Sequence, residues 1–508
     1  MSQNENSKTK KIGLLLGPLL FVCTLLFFHP EGLSLEANAI LASTLWVAVW
    51  WITEPIPIAV TSLLPIVLFP LTGGLALNST TASYGHRYVF LYIGGFILAI
   101  AIERWNLHKR IALTIINLIG TNVKSIILGF MLATAFLSMW ISNTATAVMM
   151  LPIGMAIVAQ LRDNPSTIEN ENMIFGKSLM LAIAYSASIG GMATLIGTPP
   201  NIVLAGIVQE TYGVEITFSK WIMFGLPISI ILLAICWKYL TEFAFTFKQK
   251  SFPGGKAEIT KQLKALGKIS FEEKNVLLVF IGTAVAWISR SPIQKYIKST
   301  FENPDDYQLT MVSRIDDTII AIIAGVVLFL LPASKEKKRA LVTWEEAVKL
   351  PWGILLLFGG GLALAQGFKI SGLAEWIGGQ MTLLDGVALI VLLSVLVAAV
   401  NFLTEITSNL ATTAMILPIL APLALTIGVH PYILMVGATV AASCAFMLPV
   451  ATPPNAVVFG SGYLKISDMV KVGIWMNIIS IILLTLITYF ILPNIWDFDP
   501  SVFPEAWK

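Results

Sequence analysis

Apolar runs follow one another along almost the whole chain, with short polar stretches between them. Each is about 20 residues long, which is what a helix needs to cross the hydrocarbon of a bilayer. The pattern predicts crossings at 13–29, 38–53, 55–71 and 88–104, then at 177–207, 218–245, 274–290, 316–333 and 350–367, and finally at about 432–464 and 472–493. Two further apolar stretches, 125–160 and 383–428, are interrupted by polar patches. The patches are "SMWISNTATAVMM" (138–150) and "TEITSNLATTAMI" (404–416), which nearly repeat one another.

The placement of basic residues decides how those stretches are threaded, because cytoplasmic loops carry the excess of Lys and Arg. Basic positions cluster in "MSQNENSKTKK", in "ERWNLHKR" (103–110), in the linker 246–273 (Lys248, Lys250, Lys256, Lys261, Lys264, Lys268), in "SKEKKRA" (334–340) and in "YLKISDMVK". Acidic "ENPDD" (302–306) and the tail bearing Asp497, Asp499 and Glu505 belong outside. The alternation closes only if 125–160 and 383–428 each leave by the face they entered. Both are therefore expected to be re-entrant hairpins with a Ser-Asn patch at the tip. Five crossings lie between them, and five is odd, so the hairpins enter from opposite faces. The expected architecture is an all-α polytopic membrane protein of about 11 transmembrane helices plus two re-entrant hairpins in inverted repeats. Its parts are a cytoplasmic tail (1–12), a first half (13–245), a cytoplasmic linker (246–273), a second half (274–493) and an extracellular tail (494–508).

Internal similarity supports the inversion independently. "IGGFILA" (93–99) matches "GGGLALA" (359–365), and "SNTATAVMMLPI" (142–153) matches "SNLATTAMILPI" (408–419), both pairs 266 positions apart. "IGTPPNIVLAG" (196–206) matches "VATPPNAVVFG" (450–460) at a separation of 254. In transporters built this way, the site lies near the midplane where broken helices of the two halves meet.

Composition narrows the class. Only 12% of the 508 residues are charged and 56% are hydrophobic, against about 25% charged in soluble domains. The first apolar run lacks a small-residue cleavage site and reads as a retained anchor. Cys23, Cys236 and Cys444 form no metal or disulfide spacing. No nucleotide loop, HExxH or nucleophile elbow is present, so an enzyme is not expected; neither is a cofactor or a nucleic-acid partner. "GGG" (359–361) reads as close helix packing. Glu54 and Glu405 read as braces for broken backbone, and His29, His86, His108 and His430 as interfacial side chains near span ends.

The patches themselves indicate chemistry. At a hairpin tip, freed N–H groups and the positive end of a helix dipole suit an anion. Freed carbonyls and an Asn oxygen suit a small hard cation. In each "TPPN", the paired prolines interrupt the span and force Thr198 or Thr452 toward extended backbone. The patches hold no Arg or Lys, so a dianion needs co-bound cations to balance its charge at low dielectric. That favours obligatory coupling to sodium.

These motifs resemble the divalent-anion/sodium symporter family: "SNT" at 142–144, "TSN" at 407–409, "GTPPN" at 197–201, "ATPPN" at 451–455, "WWITEPIPIAVTSLLP" (50–65) and "PWGILLLFGGGLALA" (351–365). The resemblance runs from about residue 12 to 493. It implies a homodimer in the bilayer, with scaffold and transport domains working as an elevator that moves a dicarboxylate with sodium as co-transported ligand. One sodium would be held by Ser138, Ser142, Asn143 and Gly197, the other by Thr404, Thr407, Asn409 and Ala451. Substrate carboxylates would meet Ser142, Asn143 and Thr144 at one tip and Ser408 and Asn409 at the other, with Thr198, Pro199, Thr452 and Pro453 as the remaining wall. The family's second Ser-Asn-Thr reads Ser408-Asn409-Leu410 here, and Leu410 removes a hydroxyl donor from the expected pocket. Ser142 resembles the dicarboxylate members more than the citrate members. A sodium-independent dicarboxylate or 2-oxoglutarate exchanger on the same fold stands as the alternative, ahead of a citrate or sulfate transporter and a sodium/proton antiporter.

Overall fold

A computed structural model describes residues 3–120, 122–162, 169–247, 255–300, 307–380 and 386–507. The acidic stretch 302–306, Lys248, Lys250 and the start of the second expected hairpin at 383–385 lie outside them. The described residues are helical apart from short loops, and a β-bridge joins Pro332 to Ala340. Among the described residues, ten helices are long and apolar enough to cross a membrane, and shorter apolar helices include Ile58–Thr72, Val123–Ser138, Asp317–Leu330, Leu389–Leu403 and Pro431–Ala442.

The breaks fall where the chemistry requires them. Thr198 (φ −139°, ψ 142°) and Thr452 (φ −140°, ψ 149°) are extended, because the ring of a following proline excludes the helical region. New helices Pro199–Tyr212 and Pro453–Phe459 start directly after them, proline being suited to the first helical position. The crossings expected at 177–207 and 432–464 are thus each two helices, Glu169–Gly191 with Pro199–Tyr212 and Pro431–Ala442 with Pro453–Phe459. Their first members form the centre of the protein. Every residue of Pro431–Ala442 is buried, and Glu169–Gly191 is flanked by Val123–Ser138 and Asn143–Arg162. Leu389–Leu403 and Asn409–Thr426 flank Pro431–Ala442 in the same way.

Small residues allow the close crossings. A Cβ at Gly190 would stand 2.3 Å from the Ala135 carbonyl oxygen, and one at Gly360 would stand 2.7 Å from the Ser62 carbonyl oxygen. The triple glycine is therefore a packing seam, as expected of small residues between membrane helices.

Other details depart from the sequence reading. Helix Phe271–Thr300 runs well beyond the expected end at 290, and the basic linker contains a helix, Gly255–Ala265. His108 and His430 are buried rather than interfacial. The His430 Nδ1 accepts from the Tyr432 N–H (3.2 Å), capping a helix start. Glu54 is exposed and left-handed (φ 46°) at the end of Leu35–Thr53. It closes that helix through its own N–H on the Trp50 carbonyl (3.0 Å), so its backbone rather than its carboxylate does the bracing.

Candidate cation and anion site

Each polar patch sits at the junction of two helices. Val123–Ser138 ends and Asn143–Arg162 begins after 139–142; Leu389–Leu403 ends and Asn409–Thr426 begins after 404–408. The halves interlock, since Asn143–Arg162 packs on Pro453–Phe459 and Asn409–Thr426 packs on Pro199–Tyr212. The stretches leading into the two "TPPN" motifs also meet: Cys444 Sγ lies 3.7 Å from Met192 Sδ, and the hydroxyl of Tyr185, in helix Glu169–Gly191, donates to the Phe446 carbonyl (2.8 Å).

At the first junction, Ser138 is fully buried and its hydroxyl donates to the Ala187 carbonyl at 2.7 Å. The Asn143 amide faces Ser138 Oγ (2.5 Å), the Ala187 carbonyl (3.1 Å) and the Gly197 carbonyl (3.3 Å). With its nitrogen inward, this amide donates to all three. With its oxygen inward, four oxygens converge, and a hard cation among them relieves their mutual repulsion. The second junction repeats the arrangement. The Thr404 hydroxyl, also fully buried, joins Asn409 Oδ1 (2.7 Å) to the Ala442 carbonyl (2.9 Å). The Ala187 and Ala442 carbonyls lie near the C-terminal ends of Glu169–Gly191 and Pro431–Ala442, where the negative end of the helix dipole adds to their attraction for a cation. Among the described residues, no three His, Cys, Asp or Glu side chains stand close enough to hold a metal; these cages are neutral.

The opposite ends face the other way. Asn143 and Asn409 each open a helix, and the first N–H groups of a helix have no intrahelical partner. Ser142 Oγ accepts from the Ala145 N–H (3.2 Å), whereas the Ser408 hydroxyl makes no capping bond. Thr144 is exposed, while Leu410 is only 5% exposed and packs with the apolar core. Leu410 still supplies a backbone N–H at that helix start, so only the hydroxyl is lost. Thr198 and Thr452 are buried, Pro199 is half-buried and Pro453 exposed. The Thr407 hydroxyl is taken by the Leu403 carbonyl (2.9 Å) and Thr412 Oγ1 (2.5 Å), which leaves its carbonyl, like those of Gly197 and Ala451, as the group available to an ion.

Several contributors carry no distinctive sequence signal. Ala187 and Ala442 act through carbonyls, which every residue has. The "TPPN" asparagines are more legible: Asn201 Nδ2 donates to the carbonyls of Gly191 (3.4 Å), Met192 (3.3 Å) and Thr194 (2.7 Å), and Asn455 Nδ2 to those of Ala445 (3.2 Å) and Leu448 (3.0 Å). They hold the broken loops in shape. Glu405, 3% exposed, accepts from the N–H groups of Phe446 (2.7 Å), Met447 (2.9 Å) and Leu448 (3.0 Å) and from Asn477 Nδ2 (2.7 Å). It is the brace expected of it.

Residues 8–495 match the family described as the sodium:sulfate symporter transmembrane region. The chain belongs to this family. Among its relatives, the sodium-dependent dicarboxylate transporter SdcS of Staphylococcus saprophyticus is 50% identical over 495 residues, covering 96% of this chain and 92% of the relative. SdcS of Staphylococcus aureus is 51% identical over 505 residues, covering 97% and 95%. Two solved transporters share the fold at low identity. Neisseria gonorrhoeae MtrF, of a class described as antimetabolite efflux pumps, has a TM-score of 0.57 at 15% identity and covers 95% of both chains. Alcanivorax borkumensis YdaH has a TM-score of 0.54 at 13% identity, covering 82% of this chain and 87% of that one. The resemblance read from the Ser-Asn and "TPPN" motifs is thus borne out at the level of family and helical membrane fold.

Proposed function

We propose that this family member imports C4-type dicarboxylates such as succinate, malate and fumarate, each with sodium, and is a transporter rather than an enzyme. The observation that carries the reading is the pairing, in both halves, of a neutral oxygen cage with a helix start that has free N–H groups and no basic side chain. A dianion placed against such donors lacks charge compensation, and cations in the adjoining cages supply it. The first cage would use Ser138, Ser142, Asn143 and Gly197 with the Ala187 carbonyl; the second would use Thr404, Thr407, Asn409 and Ala451 with the Ala442 carbonyl. Carboxylates would be held by Ser142, Asn143 and Thr144, and by Ser408, Asn409 and the Leu410 N–H, between Thr198–Pro199 and Thr452–Pro453.

The sodium-dependent dicarboxylate transport named for the SdcS relatives, at half identity over nearly the full chain, supports this substrate class. The hairpins entering from opposite faces, eleven crossings, a cytoplasmic N-terminus, an extracellular C-terminus, and a homodimer whose transport domains move as elevators belong to the same proposal. Radiolabelled succinate uptake into proteoliposomes, with and without an inward sodium gradient, tests it. Accumulation is expected only with the gradient. Uptake that ignores sodium but requires internal dicarboxylate would instead establish the exchanger.

A further inference from the structure

Away from the paired junctions, a recess of about 940 Å³ opens between three helices. It lies where Glu169–Gly191 begins, where Phe218–Lys238 ends and where Ile466–Phe490 begins. The basic linker 246–273 leaves from this end, which the charge pattern assigns to the cytoplasm. Its walls are apolar and open outward: Phe243 is 73% exposed, Trp475 56% and Met173 48%. Three lysines, Lys177, Lys238 and Lys471, stand among the lining residues.

The nearby carboxylates are already engaged. Asp468 pairs with Lys177 at 2.9 Å, and Glu242 pairs with Lys124 at 2.6 Å. Lys238 and Lys471 are exposed and form no ion pair among the described residues. The recess therefore presents two uncompensated cations above apolar walls. One wall is a wide helical turn, Tyr239–Ala244, of the π type that recurs at functional sites. The Tyr239 hydroxyl pins it to the Val472 carbonyl at 3.1 Å, closing the recess between the two helices.

We propose that this recess binds an anionic phospholipid of the cytoplasmic leaflet. The phosphate would lie between Lys238 and Lys471, and an acyl chain would run inward along Ile235 and Ile479. Two features select a lipid over a free anion: most of the lining side chains are apolar and several are exposed, and Trp475, one helical turn from Lys471, would sit at the headgroup level that tryptophan prefers. A basic residue at an anionic membrane surface contributes roughly fivefold in affinity, so two contribute about 30-fold.

The test is native mass spectrometry of the full-length protein released from vesicles of phosphatidylcholine with added phosphatidylglycerol. The wild type is expected to retain phosphatidylglycerol in preference to phosphatidylcholine. Lys238→Gln with Lys471→Gln is expected to retain it about 30-fold less, and the corresponding pair of Arg substitutions is expected to restore it. Succinate uptake in pure phosphatidylcholine is expected to be equal in all three, showing an intact fold. Equal retention by wild type and the Gln pair overturns the proposal. So does displacement of the lipid by inorganic phosphate, which would make this a free-anion site. If the Gln pair also loses uptake, competition between the two lipids on the wild type decides, and no preference overturns the proposal.

Discussion

Glu405→Gln is the substitution whose consequences the structure specifies most fully. The carboxylate accepts four hydrogen bonds, three of them at Oε1 and one, from the Leu448 N–H, at Oε2. Glutamine keeps one oxygen for the first three donors but turns an NH₂ toward Leu448, donor against donor. One hydrogen bond to a charged group is lost, at about 1.5–3 kcal/mol, and a buried N–H is left unpaired at about 1–3 kcal/mol. Relaxation recovers part of this, so a net cost of about 3 kcal/mol is reasonable. The cost lands on a specific segment. Leu448 accepts from the Ala451 N–H (3.2 Å) and from Asn455 Nδ2 (3.0 Å), so it positions the carbonyl proposed for the second sodium. If half the cost is expressed in ion binding, the sodium concentration for half-maximal uptake rises about tenfold, at 1.4 kcal/mol per decade. Succinate uptake against sodium concentration in proteoliposomes, paired with thermal denaturation, reads both parts. Expected are a lower midpoint temperature, a right-shifted sodium curve and a near-normal succinate KM at saturating sodium. Unchanged sodium dependence with unchanged stability would refute the reasoning, as would a loss confined to succinate affinity.

Asn143→Ala and Asn409→Ala each remove the side-chain oxygen of one cage, so sodium-driven uptake should fall below detection while protein levels in the membrane stay normal; wild-type transport in either removes that residue from the site. Leu410→Thr should lower stability by about 2–4 kcal/mol, because it empties volume in a packed site and buries a hydroxyl. Thermal denaturation checks this, and a wild-type midpoint with tighter succinate binding would show that the side chain faces the substrate instead.

The candidate site stands out in the sequence because polar residues are costly inside an apolar run. Ser142, Asn143, Ser408 and Asn409 stand out against their surroundings, and the paired prolines of "TPPN" dictate where two helices must restart. Counting crossings between the patches then gave the expectation of an inverted arrangement. Hidden from sequence were the groups that act through the backbone. Nothing distinguishes the carbonyls of Ala187 and Ala442 from those of their neighbours until the fold brings them to Ser138 and Thr404. The burial of Leu410 was equally invisible, since the motif predicts what its side chain lacks but not which way it packs. His430 misled for a related reason: a histidine near a span end reads as interfacial, yet here the tail folds back and Phe498 and Trp507 pack on its ring at centroid distances of 4.2 and 4.8 Å.

The proposed site rests on charge compensation by bound cations, since its polar patches hold no Arg or Lys to balance a dianion. Equilibrium binding of radiolabelled succinate to the purified protein, measured as sodium replaces choline at constant ionic strength, addresses this without any transport step. Binding should be absent in choline and should rise steeply with sodium, with a slope above one that drops when either Asn143 or Asn409 is replaced by Ala. Succinate binding of undiminished affinity in choline alone would contradict it.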